Sequence, residues 1–203
     1  MPRMMFLPGA SGGADFWQPA SDLILPGRPR HLFSWPGLGN QPHDDRVRGI
    51  EDLVDLVLER IDDLGPEESC DLIAQSMGGL VAVKVALTVP GRIRRLVLTA
   101  ASAGIPLSDH GGAEWYADYR RAFPAAASWV GAVGEDLTAR IPDIAVPTLL
   151  IWGDADPVSP VAVGRRMAEL LPKAELKIVS GGTHGLAITH AAEVAALISA
   201  FLA

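Results

Sequence analysis

The sequence predicts an α/β protein: a mostly parallel six-stranded sheet with helices packed on both faces. Three observations carry this reading. Six short apolar runs recur along the chain, each near Gly or Pro. Helical patterns lie between most of them, and such alternation favours parallel strands joined by right-handed crossovers. The 203 residues, 49% hydrophobic and 20% charged with one cysteine, suit a single domain that buries a full core without disulfides or metal.

The runs occupy residues 4–7, 31–35, 70–74, 93–100, 148–152 and 176–179. Each has the length and composition of a buried strand. Between the second and third, Ile50, Leu53, Val54, Val57, Leu58, Ile61 and Leu64 recur at spacings of three and four, with Glu51, Asp52, Asp55, Glu59 and Asp62 interleaved. That is an amphipathic helix whose acidic face is solvated. The stretch after Ser76 is apolar almost all round, as in a buried helix. Ser159-Pro160 reads as a helix cap followed by proline at the first helical position, with Val163, Met167, Leu170 and Leu171 on one face. Val194, Leu197, Ile198, Phe201 and Leu202 mark the last helix.

Residues 101–142 break the rhythm, since most connections run to roughly 4–6 residues. The segment holds Trp115, Tyr116, Tyr119, Phe123 and Trp129, with a helical pattern over 114–123. It is either a decorated crossover or a lid over the strand ends. The lid reading is preferred because long loops in compact domains are usually functional. Trp115, Tyr119 and Trp129 would then contact substrate.

Net charge is −7, and acidic over basic balance argues against nucleic acid as the main partner. No apolar run approaches the roughly 20 residues of a membrane helix. The N-terminal apolar stretch, ending at Pro8-Gly9, is too short for a signal peptide. A cytoplasmic protein acting on a small molecule, as monomer or homodimer, is the expectation. Gly37-Leu38-Gly39 follows a strand, but Pro42 stands where a dinucleotide fingerprint needs its third glycine. No metal-ligand spacing occurs, so neither metal nor cofactor is expected.

The chemistry lies at three strand ends. The third run passes into Ala74-Gln75-Ser76-Met77-Gly78-Gly79 and then a helix. A strand–Ser–helix junction demands a sharp turn, which holds the serine at positive φ and needs small residues two before and two after it. Ala74 and Gly78 meet that need, with Ala at the first position where Gly is usual. The plainer alternative is a serine capping an ordinary helix. A serine hydroxyl needs a base to take its proton and a carboxylate to orient the base. The fifth run ends in Gly153-Asp154-Ala155-Asp156-Pro157, and the sixth leads to Gly181-Gly182-Thr183-His184-Gly185. The chain order Ser, Asp, His is that of one of the known triad arrangements.

With these motifs the whole chain resembles the α/β-hydrolases. The resemblance implies Ser76 as nucleophile, His184 as base and Asp156, the last residue of a G-x-x-D motif, as acid, with Asp154 the rival. It implies an oxyanion hole from the backbone N–H groups of Ala10 and Met77. Pro8 stands in the loop after the first strand where the family commonly has His. Trp17 and residues 35–39 resemble family landmarks, and the family's opening antiparallel hairpin is expected to be missing. The implied activity is hydrolysis of a carboxylic ester, thioester or lactone through an acyl-enzyme, without cofactor. The same triad in related sequences also performs C–C hydrolysis, perhydrolysis or lyase chemistry, and a non-catalytic ligand-binding role is the reading of another class. Of the other histidines, His31 and His190 read as structural or exposed and His43 as a solvated loop residue. His110 is open between substrate contact and exposure. Cys70 reads as an inert core thiol.

Overall fold

The computed structural model describes residues 1–203. Its order is β1 (Arg3–Leu7), α1 (Gln18–Ser21), β2 (Arg30–Leu32), α2 (Ile50–Asp62), β3 (Cys70–Gln75), α3 (Met77–Thr88) and β4 (Ile93–Thr99). Then follow α4 (Tyr116–Ala122), β5 (Thr148–Gly153), α5 (Val161–Leu170), β6 (Ala174–Val179), α6 (Leu186–Thr189) and α7 (Ala191–Leu202). The six strands form one sheet in the order β2-β1-β3-β4-β5-β6, every pair parallel. The expected fold class is the observed one.

Side-chain alternation along the strands sorts the core into two layers, because successive residues of a strand face opposite sides. Met5, Leu7, Leu72, Ala74, Leu96, Leu98 and Leu150 pack with α2, α3 and α5. Met4, Phe6, Ile73, Val97, Leu149 and Ile151 pack on the other side, with Trp17, α6 and α7. Register keeps each layer continuous: Met5 stands beside Leu72, Leu72 beside Leu96, and Leu98 beside Leu150. Helix α3 is buried along most of its circumference, as its sequence implies, because it lies between β3, β4 and α2. Lys84 and the terminal Thr88 are its polar exceptions.

Two expectations about elements change. The second run gives a strand of only three residues, Arg30–Leu32, at the sheet edge. Beyond it Phe33 still donates to the Phe6 carbonyl, but Trp35 turns inward and its indole donates to the Pro8 carbonyl at 2.7 Å. Ser159 does not cap α5; Pro160 precedes the helix. The buried Ser159 hydroxyl instead accepts from the Trp152 indole at 3.1 Å and donates to the Ala101 carbonyl at 3.2 Å. An apolar strand end that leaves an indole N–H buried recruits the nearest hydroxyl, which is then unavailable as a cap.

At the sheet edge opposite the motif-bearing loops, Asp71 is fully buried between Arg28 and Arg94. Arg94 grips it with Nε at 2.8 Å and Nη2 at 2.7 Å, and also donates to the Leu202 carbonyl. Arg28 donates through Nε to the Pro2 carbonyl. One carboxylate thus joins the entry of β1, the middle of the sheet and the end of α7. Its removal leaves a buried guanidinium without a counter-charge. Asp71→Ala is expected to destabilise the fold by about 3–5 kcal/mol, seen as a lower urea midpoint with an unchanged slope.

Candidate active site

In a parallel sheet all strand carboxyl ends share one edge, and ligands bind there. The loops after β1, β3, β5 and β6 meet at that edge. The turn after β3 is set by a close approach. A Cβ on Gly78 would lie 2.4 Å from the Pro8 carbonyl oxygen and 2.7 Å from that of Leu7. Only glycine lets α3 start against the end of β1. Ser76 sits at φ 52°, ψ −123°, a region costly for a residue with a side chain. It is held there by its N–H donating to the Thr99 carbonyl at 3.1 Å and by its own carbonyl accepting from Gly79 at 2.9 Å.

The loops of Asp156 and His184 are brought together in the same manner. A Cβ on Gly153 would lie 2.0 Å from the Gly182 carbonyl oxygen, so the ends of β5 and β6 touch backbone to backbone. Ala155 donates to that same carbonyl. Asp156 points inward, its side chain fully buried. One of its oxygens, Oδ1, accepts from the N–H groups of Val158 at 2.8 Å and Ser159 at 3.1 Å. The other, Oδ2, lies 2.9 Å from His184 Nδ1, and His184 Nε2 lies 2.9 Å from Ser76 Oγ. Because a carboxylate only accepts, Nδ1 carries the proton and donates to Asp156, leaving Nε2 to accept from the Ser76 hydroxyl. Asp154 is exposed and accepts the Gly181 N–H at 2.6 Å. It fastens the loop that carries His184 and does not touch the imidazole.

Gln75 was not singled out by the sequence. Its buried side-chain amide donates to the His184 carbonyl at 3.2 Å, tying the strand of the serine to the loop of the histidine. The motif shows Gln beside Ser but not that its amide spans to a residue 109 positions away.

The N–H groups of Ala10 and Met77 are engaged by no acceptor within the chain, and both residues border the cavity that opens over Ser76. That cavity holds about 510 Å³. Residues of the 101–142 segment form much of its wall, among them Ile105, Leu107, Trp115, Tyr119 and Phe123. Of the three aromatic residues expected to contact substrate, Trp115 and Tyr119 line it; Trp129 does not, and packs instead against the core. Tyr119 lies edge-on to Trp115, and its hydroxyl accepts from the Gly39 N–H at 3.0 Å, so only its ring is offered to the cavity. Burial raises the Tyr119 phenol, which stays protonated. His110 and His43 lie outside the wall, and His43 Nε2 sits 2.9 Å from the Ala125 carbonyl. Burial, with Arg60 and Arg3 nearby, lowers the His31 pKa and keeps that ring neutral. Burial and then the Asp71 charge push the Cys70 thiol up to about 12, which makes it a poor nucleophile.

Residues 4–197 match the family described as the alpha/beta hydrolase family. The chain belongs to that family. As an alpha/beta hydrolase it is 26% identical to the "Putative carbamate hydrolase RutD" of Variovorax paradoxus, over 91% of this chain and 85% of that one. It is 24% identical to the pimeloyl-[acyl-carrier protein] methyl ester esterase of Photobacterium profundum, over 92% of this chain and 89% of that one. Among solved structures, the naproxen esterase of Bacillus subtilis superposes with a TM-score of 0.79 at 18% identity, covering 100% of this chain and 84% of that chain, a likeness of fold. The alpha/beta hydrolase sheet here contains six parallel strands and no antiparallel one. No helix is long and apolar enough to cross a membrane.

The contact at Gly78 yields a direct test. Gly78→Ala must push α3 away from fixed backbone oxygens. It is expected to cost about 1–3 kcal/mol of stability, the usual range for overpacking, measured by chemical denaturation.

Proposed function

We propose that this alpha/beta hydrolase cleaves a carboxylic ester, thioester or lactone through an acyl-enzyme on Ser76. The observation that carries the reading is the unbroken line Ser76 Oγ, His184 Nε2, His184 Nδ1, Asp156 Oδ2, each hydrogen bond 2.9 Å long. In this reading Ser76 Oγ attacks the substrate carbonyl carbon while its proton passes to His184 Nε2. The imidazolium so formed is stabilised by Asp156, whose second oxygen is already fixed by two backbone N–H groups. The carbonyl oxygen becomes an oxyanion next to the N–H groups of Ala10 and Met77, two donors each worth about 3–4 kcal/mol of barrier. The carbon–oxygen or carbon–sulfur bond breaks, and His184 returns the proton to the leaving group. Water, activated by the same imidazole, then attacks the acyl-serine, and Ser76 is released with the acid.

No step calls for a cofactor. Residues 101–142 act as a lid in this scheme, supplying the apolar wall that holds the substrate's hydrocarbon part and limits water at the reacting carbonyl. The Photobacterium profundum relative, named as a methyl ester esterase, supports ester chemistry for this chain.

Two measurements test the reading. A fluorophosphonate probe is expected to label the protein and to fail with Ser76→Ala. Labelling is expected to survive in Ser69→Ala, at the opposite end of β3. A folded wild-type protein that neither labels nor cleaves any p-nitrophenyl ester from acetate to palmitate refutes the proposal. For the acid, Asp156→Asn is expected to lower kcat by about 10³–10⁴, whereas Asp154→Asn, which keeps an acceptor for Gly181, costs less than about tenfold. Equal losses overturn the assignment.

A further inference from the structure

The cavity over Ser76 has an uneven distribution of charge. Its wall carries no lysine and no arginine. The charged side chain on it is that of Glu135, half-exposed. Glu135 pairs with Lys84 of α3, but Lys84 is shared: its Nζ also lies 2.7 Å from Glu51 Oε1 of α2. Burial pulls the Lys84 pKa down, yet the hydrogen bonds to Glu135 and Glu51 outweigh it and keep the ammonium charged. Two carboxylates face one ammonium, so this rim keeps one negative charge. Arg120, on the helix that brings Tyr119 to the wall, is not part of that wall, and its Nη1 and Nη2 donate to the Ala126 and Pro124 carbonyls. The rest of the wall is mainly hydrocarbon: Phe16, Leu80, Ile105, Leu107, Trp115 and Val133 among others.

A carboxylate carried into such a space loses water and meets no cation, which is costly unless the charge is paired. It also meets the residual charge at Glu135, a repulsion that the oxyanion and imidazolium formed together at the transition state do not cancel. A neutral chain of the same shape incurs none of these penalties and gains from burial against the apolar wall. Resting on the serine-hydrolase reading above, we propose that the site selects esters with an uncharged, hydrocarbon-rich acyl part and rejects acyl parts bearing a carboxylate, and that Glu135 is a specificity-determining residue for this rejection.

The test uses two substrates of matched length at pH 8: mono-p-nitrophenyl suberate, an anion, and its methyl ester, which is neutral. The neutral ester is expected to show a kcat/KM about 10²-fold higher, the scale of a partly desolvated, unpaired carboxylate. Glu135→Gln is expected to narrow that ratio by about three- to tenfold, and Glu135→Asp, which keeps the charge, to retain it. A ratio near one with both activities lost in Ser76→Ala overturns the selectivity while leaving the hydrolase reading intact. A large ratio that Glu135→Gln does not move removes Glu135 from the role. If neither ester is turned over, fluorophosphonate labelling of Ser76 and the p-nitrophenyl ester panel decide the hydrolase reading, and the charge preference is decided by binding. Quenching of tryptophan fluorescence by dimethyl suberate and by monomethyl suberate compares the neutral and anionic ligands, and equal affinities refute it.

Discussion

The edge of this molecule that carries Ser76, Asp156 and His184 stands on a backbone contact that admits no side chain. Helix α3 begins against the carbonyl oxygens of Leu7 and Pro8, at distances that only Gly78 tolerates. Those same two carbonyls are each fixed by an indole: Trp17 donates to Leu7 at 3.0 Å and Trp35 to Pro8 at 2.7 Å. The two tryptophans come from opposite layers of the core, so the end of β1 is clamped from both faces. Against this anvil the chain turns at Ser76 with a strained backbone. The surrounding packing holds the strain because buried residues fill both sides of β3. Ala100 and Ala103, just after β4, also sit at positive φ. Strain is therefore concentrated at the strand ends that frame the cavity.

Parallel topology converts that local geometry into a site. With every strand pointing the same way, residues separated by 108 positions reach one edge, and Ser76 meets His184. The remaining precision comes from satisfied polar groups. Asp156 has three partners, Asp154 holds the histidine loop by the Gly181 N–H, and Gln75 links that loop back to β3. Buried polar groups of this kind are rigid because any rotation strands a donor or acceptor away from water. The opposite edge is tied by the buried Asp71 network, remote from the cavity. The two edges thus divide the work of stability and chemistry.

Much of this was legible in the amino-acid sequence. Buried parallel strands are apolar on both faces, so the six runs stand out, and the small residues around Ser76 are fixed in kind by geometry, while the resemblance to the α/β-hydrolases pointed to Asp156 and His184 in their loops. Less legible were features whose cause lies in tertiary contact. The edge strand β2 stops early because Trp35 leaves the ladder to reach the Pro8 carbonyl. Ser159 looks like a cap in sequence, yet it answers a buried indole N–H. Trp129 and Trp115 look alike in composition, but only the latter faces the cavity, and no periodicity distinguishes them in a segment built of short helical turns. The bond from Gln75 to the His184 carbonyl and the sharing of Lys84 by Glu51 and Glu135 join residues far apart in the chain and carry no local signal.

The 101–142 segment is held unequally on its two sides, and this bears on how the cavity opens. Toward β2 it is fixed by direct hydrogen bonds: the Gly39 N–H to the Tyr119 hydroxyl, the Ala127 N–H to the Gly37 carbonyl, and His43 with the Ala125 carbonyl. On the side of Val133 and Glu135, a named tie to the body is the ion pair with Lys84. Neutral hydrogen bonds between short-tethered groups keep their geometry in salt, whereas a half-exposed ion pair is screened and contributes at most about 1 kcal/mol. The aromatic wall around Tyr119 is thus fastened by bonds that salt does not loosen, whereas the Glu135 side relies on a screened ion pair and, two residues on, the Leu137 N–H donating to the Gly104 carbonyl at 2.7 Å. The charge that the proposed selectivity turns on therefore sits on the more weakly tied side of the cavity.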